Sequence, residues 1–547
     1  MNKIVHAPIN LELMKEFNNY ANKSNFDQDI EVEPEGVETN MMTTSLEFNS
    51  AKNSQINSQA KNKNSQIKER NPATASPEFN DRSPATAGPE KPKFVGPYLF
   101  PSNAKLFKIK VQQLSNTNFV FEDKSFPADF SSIWGYQPEN ANYHRWKKFV
   151  WEKPADIFVD GKFDIFQNST HPNDIIQGVL GDCYLLCSIA SIVEKPERIK
   201  HLFSNKTINY HGVYGVVLCV NGIWQEIILD QFFPCYEWKV PCFNRTDSNE
   251  LWVMLLEKAY AKVCGGYNNL TIGYCEEALT LLTGAPTMMY WCSLGNEEKW
   301  TILYNADKSD FIMTCVSHAS NTSEVNPVDP NNGIILGHAY SLLECYELIQ
   351  DPFSGKYRVL NNFEQNDSNL NIQKIIKFRN PWGKTEWKGL WSDSDPIWSD
   401  ELKKQLKFQI KEDGVFFMSY DDFSKNFSTF QICYYHDNYN LTSWKLTTQS
   451  KVRRIFKFTI PSDQRNTGYF YVSLHQAIKR MFKPSQNYKD STIGFTVSRK
   501  NENSEEMTYL GAKLDHDPAP FVKIKTKPGV YYITVFTNWK SFTNEIN

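Results

Sequence analysis

Residues 177–183 read Gln-Gly-Val-Leu-Gly-Asp-Cys and run straight into Tyr-Leu-Leu-Cys-Ser-Ile-Ala-Ser-Ile-Val. A glycine-spaced loop thus delivers Cys183 to the start of an apolar helix. Cysteine is a strong nucleophile only as its thiolate. The partial positive charge at a helix N-terminus, with a neighbouring imidazolium, lowers a thiol pKa from about 8.5 towards about 3.5–7.5. Gln177, six positions upstream, offers a side-chain amide to an oxyanion formed beside the sulfur. Taken alone, Cys183 reads as a buried small hydrophobe; partners later in the chain reverse that reading.

Two segments supply those partners. Residues 333–340, Gly-Ile-Ile-Leu-Gly-His-Ala-Tyr, form a strand-like run with His338 after a glycine. Residues 375–383, Ile-Ile-Lys-Phe-Arg-Asn-Pro-Trp-Gly, form a second strand ending on Asn380, stopped by proline, with Trp382 beside it. A cysteine nucleophile needs a base to take its proton and return it to a leaving amine. That base needs a third group to fix its ring and tautomer. Asn380 can accept from one imidazole nitrogen while the other faces sulfur, and Trp382 can shield that bond from water. A histidine on an apolar strand is ordinarily a satisfied core residue, and Asn-Pro ordinarily a turn. Their joint occurrence in the order Cys, His, Asn is what carries the chemistry.

With these residues in place, the chain resembles the calpain-type cysteine proteases. The resemblance is carried by Asp174-Ile-Ile-Gln-Gly-Val-Leu-Gly-Asp-Cys183, Glu250-Leu-Trp-Val-Met-Leu-Leu-Glu-Lys-Ala-Tyr-Ala-Lys262, Gly337-His-Ala-Tyr340, Arg379-Asn-Pro-Trp-Gly383 and Asp413-Gly-Val-Phe-Phe-Met-Ser-Tyr-Asp-Asp-Phe423. Phe121-Glu-Asp-Lys-Ser-Phe-Pro-Ala-Asp129 resembles the family's opening segment, and together the matches cover residues 117–435. The resemblance implies an α+β fold: a papain-like two-lobed core, with lobes over 117–285 and 286–435 meeting near Thr283-Gly-Ala-Pro286. It implies an intracellular, cytoplasmic endopeptidase performing limited cleavage of protein substrates. Cys183 would attack, His338 would act as base then acid, Asn380 would orient His338, and Gln177 with the Cys183 backbone N–H would hold the oxyanion. Two positions depart from the family pattern: Tyr184 replaces the common Trp, and Ile272-Gly273 stands where many members have a cleft-lining Gly-Gly. A catalytically silent regulatory scaffold remains an alternative. A transglutaminase-type enzyme, which also runs Cys then His, uses Asp as orienter, and Asn380 argues against it.

Calpains resemble one another in holding calcium within the core, a cation that takes about six to eight oxygen ligands. By that resemblance Asp174 and Glu250 are the acidic ligands of the first lobe, and Glu386, Asp393 and Asp413 those of the second. The acid expected two residues after Asp413 is Val415, and the loop arginine that partners it in the family is replaced by Pro172. Val415 has no ligating atom, so a weakened second site is expected, and the carboxylates alternatively cap helices or form surface pairs.

The remaining sequence bounds the rest. At 547 residues, 41% hydrophobic and 14% aromatic, the chain can build two or three domains with substantial cores. A formal net charge of −3 argues against nucleic-acid or polybasic membrane binding by the whole chain. Eleven cysteines without a CxxC or zinc spacing suit reduced thiols. No signal-peptide pattern, myristoylation signal or spanning apolar run is present. Residues 1–92, with Asn-Ser-Gln runs and the near-copies Asn71-Pro-Ala-Thr-Ala-Ser-Pro-Glu78 and Ser83-Pro-Ala-Thr-Ala-Gly-Pro-Glu90, read as a disordered tail with a nascent helix over 9–21. Residues 93–116 read as a linker. Over 441–547 the runs 454–460, 469–474, 493–497 and 531–536 alternate as strands, giving an antiparallel β-sandwich. That segment resembles the sandwich domain following the core in many calpains, which implies phospholipid or protein contact. Glu505-Glu506 and Asp515–Asp517 read as a solvated loop in preference to a calcium loop. No EF-hand loop occurs, so no EF-hand small subunit is expected as a partner.

Overall fold

The computed structural model describes residues 105–547 except 159, 168–169, 293–295, 320–326, 361–369, 438–440, 445–453, 461–467, 502–505 and 539–547. The expected tail over 1–92 and its nascent helix lie outside the described residues. The described residues belong to one compact unit beginning at Glu90. Within the stretch read as linker, α1 (Leu106–Leu114) is helical, and the Phe107 amide donates to Glu226 at 3.1 Å.

The first lobe is built around α2 (Cys183–Val193), whose residues from Tyr184 to Val193 are all buried. A helix that is apolar on every side must be central rather than peripheral. The hairpin β1 (Tyr214–Val220) and β2 (Ile223–Leu229), with α3 (Trp252–Cys264) and α4 (Cys275–Thr283), packs around it. Gly265 and Gly284, both left-handed at φ 82° and 67°, end α3 and α4, a conformation that glycine adopts without strain. Lys258 in α3 is fully buried, yet its ammonium donates to Asp230 Oδ1 at 2.5 Å and to the Asp230 and Phe232 carbonyls at 3.1 and 2.6 Å. Truncation of Lys258 to Ala leaves the Asp230 carboxylate buried without its countercharge. It should destabilise the protein by about 3–5 kcal/mol, read as a lower urea midpoint.

The second lobe is an antiparallel sheet. Its strands are β3 (Thr287–Trp291), β4 (Ile312–Ser317), β5 (Ala339–Gln350), β6 (Tyr357–Val359), β7 (Ile372–Arg379), β8 (Val415–Ser419) and β9 (Phe427–Cys433). The strand order is β8-β7-β5-β4-β9-β3, and β6 pairs with β5. Stacked rings of Phe378, Phe416 and Phe427 fix β7 in this sheet, with Phe378 5.4 Å from each of the other two. The register pairs Arg379 with both Ser341 and Val415. The end of β7 therefore lies beside the start of β5, which brings Asn380 to His338.

The C-terminal part pairs β10 (Arg454–Ile460), β11 (Tyr469–Ser473), β12 (Thr492–Lys500), β13 (Met507–Asp515), β14 (Phe521–Lys525) and β15 (Gly529–Asn538). A four-stranded sheet, β10-β15-β12-β13, and the pair β11-β14 enclose a core of Phe495, Val497, Ile524, Tyr531, Ile533 and Val535. These are the two layers of an antiparallel sandwich. Among the described residues no helix is long and apolar enough to cross a membrane.

Candidate active site

The loop before Cys183 is pinned from below. The Val179 amide donates to the Cys242 carbonyl at 2.9 Å, and the Gly178 amide to Asn244 Oδ1 at 3.2 Å. A Cβ on Gly178 would fall 2.4 Å from the Cys242 carbonyl oxygen, so only glycine passes there. Asn244 also donates to the buried Asp182 at 2.6 Å, while its own amide donates to Glu257 at 3.1 Å. Burial pushes the Asp182 carboxyl up to about 7. Cys183 then opens α2.

The imidazole is defined by its neighbours. His338 is fully buried, and its backbone is tied to Ser317 by two hydrogen bonds of 3.0 Å. Nε2 lies 3.2 Å from Asn380 Oδ1. Asn380 Nδ2 donates to the carbonyls of Lys384 and Thr385 at 2.6 and 3.0 Å, and Oδ1 accepts the Trp382 amide at 3.1 Å. These partners fix which end of the amide faces the ring. Oδ1 can only accept, so Nε2 carries the proton and Nδ1 carries a lone pair. Nδ1 is buried and has no hydrogen-bond partner. Burial, outweighing the Asn380 bond, lowers the His338 pKa to about 4, so the ring is neutral at pH 7.

Trp382 covers this pair, its ring centroid 4.5 Å from that of His338. Its indole N–H donates to Gln177 Oε1 at 2.5 Å, and Gln177 Nε2 donates to the Leu180 carbonyl at 2.8 Å. Gln177, Trp382, His338 and Asn380 thus form one connected group spanning both lobes. In this arrangement the Gln177 amide is engaged with its own loop.

Cys183 is half-buried and sits against the start of β5, where the Ala339 backbone N–H acts on its sulfur. No hydrogen bond joins that sulfur to His338, because Nδ1 has no partner. Burial first, then the nearby Cys275, pushes the Cys183 thiol up to about 12. The thiol lowering expected from the helix N-terminus is therefore not met here. Desolvation of the thiolate outweighs the lowering by the Ala339 and Tyr184 backbone N–H groups, and the neutral His338 supplies no imidazolium to offset it.

The calpain family cysteine protease profile matches residues 121–434. The chain belongs to the calpain family of cysteine proteases. Among its calpain relatives, calpain-9 of Rattus norvegicus is 31% identical over 422 residues, covering 76% of this chain and 55% of that protein. The calpain-2 catalytic subunit of Homo sapiens is 30% identical over 336 residues, 60% of this chain and 44% of that one. The calpain-type cysteine protease DEK1 of Zea mays is 30% identical over 327 residues, 57% of this chain but 14% of the relative. The chain thus spans about half or less of the length of these three relatives.

The acidic positions implied by the calpain resemblance fall into two groups. In the first lobe Asp174 accepts from the His171 amide at 2.8 Å in a capping box. Glu250 accepts from the Gln167 amide through Oε1, and through Oε2 from Trp252 Nε1 at 3.0 Å and Ser248 at 3.3 Å. Both oxygens of Glu250 thus accept hydrogen bonds, two at Oε2 and one at Oε1, which keeps a lone pair. In the second lobe Glu386 Oε1 accepts the amides of Asp413 and Gly414 at 3.0 and 2.7 Å, and Asp393 Oδ2 accepts that of Lys411 at 3.1 Å. Asp393 Oδ1 is buried without a partner. Burial, with repulsion from neighbouring carboxylates, raises Glu386 to about 7 and Asp393 to about 6. This oxygen-only, mutually repelling set with one orphaned oxygen suits a hard cation in kind. Among the described residues, however, no three such side chains are gathered so as to hold a metal. Val415 takes its place in β8 opposite Arg379.

Two contacts in this region had no local sequence signal. Arg379 bonds to Asn173 and, at 2.8 Å, to Glu194, tying the strand that carries Asn380 to the first lobe. Arg480, from the C-terminal sandwich, reaches the segment beside the nucleophile loop. Both lie far in sequence from the groups they touch, and only their charge marked them.

Proposed function

We propose that this calpain family member is an endopeptidase making limited cuts in protein substrates, and that calcium promotes its activity. The observation that carries the reading is the buried, unpartnered lone pair on His338 Nδ1, with the opposite nitrogen held by Asn380. A base in that condition is placed to take a proton from a nearby thiol. In the reaction the Cys183 proton passes to Nδ1 and the sulfur attacks the scissile carbonyl. The imidazolium returns the proton to the departing amine as the C–N bond breaks. A water, deprotonated by the same nitrogen, then releases the acyl group. Asn380 keeps Nε2 protonated throughout, and Trp382 excludes water from that bond. The Cys183 backbone N–H and the Gln177 amide would stabilise the oxyanion, Gln177 after turning from Leu180.

The neutral imidazole and un-ionised thiol describe a resting arrangement, which favours a chain awaiting a small shift between its lobes. Bound calcium would supply the positive charge that Glu386, Asp393 and Asp413 lack, and Asp174 and Glu250 would be the corresponding first-lobe acids. Reduced thiols suit this chemistry, and all eleven cysteines are free, so a reducing, cytoplasmic setting is part of the proposal. Casein and fluorogenic-peptide cleavage, with calcium titrated from chelator to millimolar, tests the reading. Cleavage rising with calcium supports it, and cleavage independent of calcium removes the regulatory part. Absence of cleavage throughout would favour the scaffold alternative.

A further inference from the structure

Arg480 lies in a short 3-10 turn, Lys479–Met481, between the strands β11 and β12 of the C-terminal sandwich. Its side chain is only 14% exposed and is inserted into the first lobe. Nη1 donates to the Asn269 carbonyl and Nη2 to the Ile272 carbonyl, each at 2.7 Å, while Nε pairs with Glu277 at 2.7 Å. The guanidinium also lies 5.5 Å from the ring of Tyr184, the residue after the nucleophile. Tyr184 in turn donates its hydroxyl to the Leu270 carbonyl at 3.0 Å. Three carbonyls of one short segment are therefore held by side chains, two of them by Arg480.

That segment is strained and touches the nucleophile loop. Ile272 has φ 59°, a left-handed conformation that a β-branched residue adopts only when its surroundings impose it. Its amide donates to the carbonyl of Gly181, two residues before Cys183, at 2.9 Å, and the residue is 79% exposed. A Cβ on Gly273 would fall 2.4 Å from the Tyr184 ring and 2.7 Å from Arg480 Nη2, so the backbone passes directly between those two groups.

We propose that Arg480 is a positioning residue for catalysis: by clamping the carbonyls of Asn269 and Ile272 it holds the strained Asn269–Gly273 segment as the cleft wall beside Cys183. The wall is then assembled across two domains. This rests on the peptidase reading above. A wall that binds substrate equally in the ground and transition states acts on KM and leaves kcat alone.

Steady-state peptide cleavage by the full chain tests this, together with hydrogen exchange of the Ile272 amide. R480A should raise KM about tenfold with kcat within about twofold. R480K keeps the charge but lacks the fork that reaches both carbonyls, so it should fall between wild type and R480A. E277Q, which leaves both carbonyl bonds in place, should keep KM near wild type. I272G removes the backbone strain that needs holding, so in that background R480A should cost about threefold or less. Faster exchange at Ile272 in R480A or R480K supports the clamp even if no peptide is cleaved, in which case the peptidase reading alone fails. An equal KM penalty for R480A with Ile or Gly at 272, a KM rise in E277Q matching that of R480A, or unchanged exchange would each overturn it. So would a joint fall of kcat and melting temperature, because that is the pattern of simple domain docking.

Discussion

Replacement of Cys183 by Ala is expected to lower kcat/KM for peptide and casein cleavage by about 10⁴-fold or more. The melting temperature should move by no more than about 2 °C, because a half-buried thiol contributes little packing. The loss follows whatever the resting distance between sulfur and imidazole. Asn380 and its two carbonyl partners leave His338 with one available lone pair. Ten of the eleven cysteines are buried, and Cys183 alone is partly accessible. Residual turnover within about tenfold of wild type would mean that another group performs the attack.

The second large effect concerns thiol reactivity. In the resting arrangement the Cys183 pKa stands at about 12 and that of His338 at about 4. The nucleophile is therefore protonated and the base neutral at pH 7. A raised thiol pKa keeps the reactive thiolate scarce until the pH approaches it. Alkylation of Cys183 by iodoacetamide in chelator should thus be slow at pH 7 and rise about tenfold per pH unit up to at least pH 9. If calcium brings the sulfur to Nδ1, the ion pair that forms lowers the thiol pKa by several units. The rate at pH 7 should then rise by about 100-fold or more, and the profile should flatten above about pH 7. Peptide mapping after alkylation reads the effect at Cys183 itself. Equal rates at pH 7 with and without calcium would contradict the resting-state account.

Much of this was legible because it is local. The glycine-spaced loop, the apolar run after Cys183 and the proline after Asn380 each mark an element boundary. β7 and β5 then bring the two ends together through register. In the sandwich the expected runs correspond to β10, β11, β12 and β15, with ends that differ by a few residues. β13 and β14 went unread although Lys513 and Asp515, and Lys523 and Lys525, alternate with apolar neighbours as in a half-buried strand: β14 is only five residues long, and Gly511 dilutes the strand signal of β13. α1 carries too little apolar periodicity to stand out from the tail before it. The reach of Arg480 to Ile272 spans 208 positions, and no sequence window contains both. The thiol shift was misjudged for a related reason. A helix N-terminus can be read from sequence, but the burial that overrides it, and the nearby Cys275 that adds to it, arrive only through the fold.

The most direct measurement is mechanism-based trapping. The purified chain, reduced and supplied with calcium, would be incubated with a peptidyl vinyl sulfone and digested for mass spectrometry. The account predicts one covalent adduct, on Cys183, that is lost in His338→Ala and suppressed by chelator. An adduct distributed over other cysteines, or one on Cys183 unaffected by the loss of His338, would contradict the assignment of this pair as nucleophile and base.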